Sequence, residues 1–192
     1  GVQTCALPIC EIVSGMAAGF AIANLFFISF SGIHTATSVI IGSTLGANRL
    51  DEARAQKNWI INGSGIFGVF AAIVGMGTIF IIPYIFVNLS MEARLVTKQM
   101  VFVLALFMPA WCYINAQFAV SRTGGDTLMG VVVDLFTSFA IAIPAMFYMA
   151  LCTSLGPVLM FTIVKSVDAL KIIIAAYWLK KERWVKNLAL DN

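Results

Sequence analysis

No charged side chain interrupts the stretch from Ile12 to Asn48, and Asn58–Met91, Gln99–Ser121 and Leu135–Val164 are equally free of charge. A shorter neutral piece, Thr127–Val133, lies just ahead of Asp134. Charged residues make up 11% of the 192 residues, against about 25% in an average soluble domain. One core of this size cannot hide that much apolar surface from water. A hydrocarbon solvent removes the difficulty. A bilayer admits only helices or closed barrels, because every backbone N–H and C=O must be satisfied internally. Strict period-two alternation is absent, so the runs are helices, each needing roughly 20 apolar residues to span. The expectation is an all-α, polytopic membrane protein with five transmembrane helices, near 14–45, 59–86, 99–121, 127–152 and 157–180.

The ends of these runs carry turn and cap chemistry. Pro157 suits the first turn of the last helix, where a missing N–H costs nothing. The link LCTSLGP before it is short, so the last two helices form an antiparallel hairpin. Gly15/Gly19 and Gly42/Gly46 are small-residue pairs that permit close helix approach. The segment ATSVIIGSTLGANRLDEARAQ, Ala36–Gln56, ends a helix at Gly42–Gly46, turns, and lets Asp51 cap a short amphipathic helix. The segment AVSRTGGDT, Ala119–Thr127, offers positive φ at Gly124 and Gly125, with Asp126 as a cap for the next helix.

The net charge of +3 matters less than where Lys and Arg fall. Arg49, Arg54, Lys57, Arg122, Lys180, Lys181, Arg183 and Lys186 lie on one side, and Arg94 and Lys98 on the other. Positive residues stay inside, which places the carboxyl terminus in the cytoplasm and the start of the chain outside a cell inner or plasma membrane. Five spans beginning outside without a secretory signal imply a missing upstream segment. The basic residues form no face, so nucleic acid is not an expected partner. Cys5, Cys10, Cys112 and Cys152 show no C-x-x-C spacing, so neither a disulfide framework nor a metal site is expected. H-E-x-x-H and G-x-S-x-G are absent and there is a single histidine, so the chain offers no catalytic residues and no enzyme is expected.

A charge at mid-membrane costs about 2.5–3.5 kcal/mol, so each buried one needs a reason. Lys165, Asp168 and Lys171 follow at spacings of three on one helix face, where the aspartate can neutralise either lysine. They read as a structural charge ladder or as a proton or cation relay. Asp134 has no cation near it in sequence and is the leading pathway candidate, or else a protonated carboxyl tuning helix packing. His34, beside Thr35, Thr37 and Ser38, is a further pathway candidate, read either as a proton switch or as a hydrogen-bonded structural residue. Asn24, Asn115 and Gln117 either line a cavity and hydrogen-bond a substrate or staple helices together. The 9 Met, 15 Phe, 4 Trp and 4 Tyr suit a pliable cavity for flat cations, and equally suit a lipid-facing surface.

Taken together, Gly42, Leu45, Gly46, Ala47 and Asn48, then Glu52 and Ala53, then Arg122, Gly125, Asp126 and Thr127 resemble in order and spacing the loop motifs of the MATE (multidrug and toxic compound extrusion) transporters. The closing Lys180, Arg183, Trp184 and Asn187 are similar to the end of a chain of that family. The likeness covers roughly residues 14–188. It implies helices eight to twelve of a twelve-helix, two-lobed fold, an incomplete six-helix lobe whose N-terminal partner lobe is missing. One sodium-coupled branch of the family has an acid eleven residues before the turn arginine; Trp111 stands there, so that cation site is not carried over. In another branch the coupling aspartate belongs to helix one.

The opening GVQTCALPI resembles the translation of a DNA sequencing adapter. Residues 1–10 are therefore expected to be a non-native leader with its junction at Cys10, 11–188 the C-terminal lobe, and 189–192 a cytoplasmic tail. The resemblance implies a secondary active transporter that exports drugs and toxic organic cations across the bilayer in exchange for Na⁺ or H⁺, without another cofactor, and inactive without its other lobe. A lipid-linked oligosaccharide flippase of the same superfamily is the alternative, but it needs free cations for pyrophosphate. A membrane anchor subunit, a different class, would not need Asp134 or Asp168 buried.

Overall fold

A computed structural model describes residues 7–153 and 155–185. Its helices, in chain order, are α1 (Leu7–Gly46), α2 (Leu50–Thr78), the single turn α3 (Ile82–Ile85), α4 (Met91–Thr123), α5 (Leu128–Thr137), α6 (Ile143–Cys152) and α7 (Pro157–Leu179). A π-helical turn, Ser138–Ala142, joins α5 to α6. Helix α1 begins at Leu7, inside the stretch read as a leader. Residues 1–6, Lys186 and Asn187 lie outside the described residues.

Two helices end on the same device. At the close of α1, Asn48 takes φ 59°, Arg49 N–H reaches Thr44 O at 3.1 Å, and Asn48 N–H reaches Leu45 O at 3.0 Å. At the close of α4, Gly125 takes φ 87°, Asp126 N–H reaches Ser121 O at 3.0 Å, and Gly125 N–H reaches Arg122 O at 3.1 Å. Both are Schellman motifs, in which a left-handed residue lets the last carbonyls find donors. Gly124 was expected to share the positive φ but has φ −82°. Its need for glycine is steric, as shown below.

The cap assignments change. No separate amphipathic helix follows α1. Leu50–Gln56 forms the opening turns of α2, because extending an existing helix costs far less than nucleating a second. Asp51 lies in the first turn of α2 and binds Arg54 Nη1 at 2.6 Å. Asp126 does not cap α5. Its Oδ2 accepts a hydrogen bond from Trp178 Nε1 at 2.8 Å.

Helix ends also move where charge-free runs were read as whole helices. Helix α2 stops at Thr78, before the expected 86. Helix α4 starts at Met91, with Ser90 Oγ accepting from Ala93 N–H at 3.2 Å, so Glu92, Arg94 and Lys98 stand on its first turns rather than in a loop. Charge marks the edge of the hydrocarbon, whereas capping marks the edge of the helix. In the run 127–152, Pro144 lacks an N–H and crowds the preceding turn. The helix widens there into the π turn, whose Ile143 N–H bonds Ser138 O.

Helix α4 is the centre of the bundle. Its buried residues run from Ala93 to Ser121, and α1, α2 and α7 pack around it. Gly15 and Gly19 permit the approach of α1: a Cβ at Gly15 would lie 2.6 Å from Ala93 O, and one at Gly19 2.9 Å from Met100 Cβ. Thr97 Oγ1 crosses the same seam to Gly15 O at 3.0 Å. The second pair does not act this way. A Cβ at Gly42 would meet Thr123 at an ordinary 3.5 Å, and Gly46 faces open space. The largest core cluster gathers Ile41, Leu45, Val120, Met129, Val133 and Trp184 at one end of the bundle.

Among the described residues, four helices are long and apolar enough to cross a membrane: Cys10–Gly46, Leu50–Thr78, Met91–Thr123 and Leu128–Cys152. Five were expected. Helix α7 has the length, with 23 residues, but carries Lys165, Asp168 and Lys171. Large apolar side chains such as Phe80, Tyr84, Phe139 and Leu151 stand exposed around the outside, as hydrocarbon permits and water does not. The chain is an all-α polytopic membrane protein. Cys10 is disulfide-bonded, which corrects the expectation of no cysteine pairing; Cys112 and Cys152 are free.

Candidate functional site

Helices α5 and α7 pack together, and their charged residues meet in one cluster. Lys171 Nζ lies 2.7 Å from Asp134 Oδ1 and 3.3 Å from Asp168 Oδ1. The other oxygen of Asp168 is 3.5 Å from Lys165 Nζ. Asp134 is therefore not the unpaired acid that its sequence neighbourhood suggested. Its cation arrives from 37 residues away, which no local spacing reveals. The side chains of Lys165, Asp168 and Lys171 are 12–19% exposed, whereas Asp134 is 60% exposed. The row thus runs from an open carboxylate inward to a buried one.

Lys165 has a second partner. Its Nζ sits 4.0 Å from the centroid of the Trp111 ring and 5.7 Å from that of Phe161. Trp111 is braced edge-on by Phe27 at 4.5 Å and contacted by Phe30 at 5.6 Å. Phe161 meets Phe20 edge-on at 5.6 Å. An ammonium over an indole face is attracted by the ring quadrupole, most strongly where water is excluded. The position that held no acid in the sequence therefore offers a cation a different kind of contact.

The polar candidates divide. Gln117 is buried beside α7; its Nε2 donates weakly to Ile172 O at 3.5 Å, and its Oε1 has no partner among the described residues. Asn115 Nδ2 donates back to Trp111 O at 2.9 Å, and its side chain lies beside His34 of α1. Asn24 is exposed on α1 and makes no hydrogen bond among the described residues. The structure thus brings Asp134, Lys171, Asp168 and Lys165 together between α5 and α7, sets Gln117 between α4 and α7, and leaves Asn24 apart.

The loop motifs form a second constellation at the end of the bundle that holds both Schellman turns. After α7 the chain turns at Glu182, φ 52°, and folds back. Trp184 is 1% exposed in the main core, with Lys57 Nζ 6.0 Å from its ring. A Cβ on Gly124 would lie 1.9 Å from Trp184 O, so only glycine lets the returning segment lie on this turn. Arg54 Nη2 closes the fold on Glu182 Oε2 at 3.0 Å. Arg122 is exposed; its carbonyl serves the turn. Sequence reasoning noted Trp184 without foreseeing its burial, and missed both the Arg54–Glu182 pair and the Trp111–Lys165 contact. Each joins residues far apart in the chain, with no periodic signal between them.

Among the described residues, no group of His, Cys, Asp and Glu is arranged to hold a metal ion. A family model, MatE, matches residues 11–148. No curated protein and no solved structure matches the chain.

Proposed function

The chain belongs to the MatE family of membrane transporters, and on that premise we propose that it forms one lobe of a cation-coupled exporter of organic cations. The lobe rocks against its counterpart and opens a central cavity to each side in turn, as secondary transporters do. Na⁺ or H⁺ supplies the driving gradient. The end bearing the Schellman turns and Trp184 faces the cytoplasm of a cell inner or plasma membrane, in keeping with the excess of Lys and Arg there.

The observation that carries this reading is the Asp134–Lys171–Asp168–Lys165 row among apolar helices. A structural staple needs one cation and one anion. Here Lys171 is shared between two carboxylates, and one of those is open at the surface. Loading a cation or proton at Asp134 weakens its hold on Lys171, which then turns wholly to Asp168. That exchange gives two arrangements, one neutral and one carrying the added positive charge, the kind of two-state element whose populations a coupling ion can shift. Both lysines face aspartates, which leaves no free cation pair for a pyrophosphate and disfavours the flippase.

The test is drug accumulation in cells expressing the transporter, with Na⁺ and H⁺ gradients varied separately. An Asp168→Asn protein that keeps its expression and fold while export stops following either gradient supports the coupling role, whereas collapse of expression marks the row as a structural ladder. If export is unchanged in Asp134→Asn and Asp168→Asn alike, the row is structural and the coupling role is refuted.

A further inference from the structure

Lys165 is placed as a ligand would be. Its ammonium rests on Trp111 at 4.0 Å, with Phe161 at 5.7 Å, while its ion pair to Asp168 is the longest of the row at 3.5 Å. Asp168 does not depend on it, because Lys171 holds the other carboxylate oxygen at 3.3 Å. The aromatic wall is built from three helices: Phe20 and Phe27 on α1, Trp111 on α4 and Phe161 on α7. Edge-to-face packing fixes its rings, so the wall persists when the lysine leaves.

We propose that Lys165 is a tethered surrogate for the substrate and marks the organic-cation subsite: a quaternary ammonium or a flat delocalised cation binds on Trp111 by displacing the Lys165 ammonium toward Asp168. This deepens the export reading and rests on it. The ligand class follows from the contacts. A ring face rewards a weakly hydrated cation and offers no acceptor for a hydrogen-bond donor. Two lysines against two aspartates leave the row neutral, and uncovering Trp111 brings no new charge into it, because the displaced ammonium remains beside Asp168. Lys165 therefore competes with substrate, setting a weak resting affinity that suits release.

The probe is tetraethylammonium, which has no hydrogen-bond donors, titrated calorimetrically into the purified protein. Lys165→Met removes the competitor and leaves one lysine against two aspartates; it should bind about thirtyfold tighter than the natural chain, the equivalent of one desolvated cation–π contact. Lys165→Arg keeps a cation on the ring and should bind like the natural chain. Adding Trp111→Leu to Lys165→Met should abolish the gain. The proposal is overturned if Lys165→Met, with unchanged circular dichroism and elution, binds no tighter, or if the double variant binds as tightly as the single one. Lys165→Gln makes the same comparison should the methionine variant not fold. Ethidium export is scored in parallel in cells expressing the transporter with both of its lobes. Export without the binding gain overturns only the surrogate role, and the binding gain without export overturns only the transport reading.

Discussion

Gly124→Ala should cost this protein as much as removing a buried tryptophan, although alanine adds one methyl group. The new Cβ would lie 1.9 Å from Trp184 O, 2.6 Å from its carbonyl carbon and 2.8 Å from its Cβ. Two of those atoms are backbone, so no rotamer change relieves the overlap, and the segment after Glu182 must lift away. Trp184 then leaves a site where it is 1% exposed. Truncating a buried aromatic costs about 3–5 kcal/mol, and that loss sets the scale. The accompanying Arg54–Glu182 pair decides little: its side chains are 40% and 50% exposed, and such pairs contribute at most about 1 kcal/mol. The indole N–H of Trp184 is buried without a partner among the described residues, which offsets the packing by about 1–3 kcal/mol. Trp184→Phe should therefore be far milder than Trp184→Ala. The assay is thermal unfolding in detergent of Gly124→Ala, Trp184→Ala and the double variant. If both single changes undock the same segment, the double variant is little worse than either one. Additive losses would refute the reasoning, as would a Gly124→Ala protein with an unchanged midpoint.

Removing Lys171 leaves Asp134 and Asp168 facing each other with one fewer cation. Lys171→Ala should destabilise by about 3–5 kcal/mol, as breaking a buried pair does, whereas Asp134→Asn, on a side chain 60% exposed, should cost under about 1 kcal/mol; detergent unfolding midpoints compare them. Gly15→Leu should separate α1 from α4, because a Cβ there already meets Ala93 O at 2.6 Å, while Gly46→Leu, in open space, should leave the stability within about 0.5 kcal/mol of the natural chain.

Some of this architecture is legible residue by residue. Uncharged runs of twenty or more residues locate the helices, since lipid tolerates neither bare backbone nor unpaired charge. Gly125 announces its turn because only a residue free of Cβ strain adopts φ 87° cheaply. Pro157 opens α7 as expected. The charge ladder is legible too, because a spacing of three on a helix guarantees proximity. Cap assignments fare worse: Asp51 and Asp126 have the right chemistry, but carboxylates accept from any donor in reach, and Arg54 and Trp178 reach them first.

Sequence alone determined the solvent, the helical class and the family, because hydrocarbon solubility and turn stereochemistry are properties of neighbours along a chain. Tertiary structure alone decided which charges are partners, which tryptophan is core, and which glycine is obligatory. Lys171 finds Asp134, Lys165 finds Trp111, and Trp184 settles on Gly124 because helix packing sets their distances. That packing depends on how all the buried faces fit at once, which no local stretch of residues records.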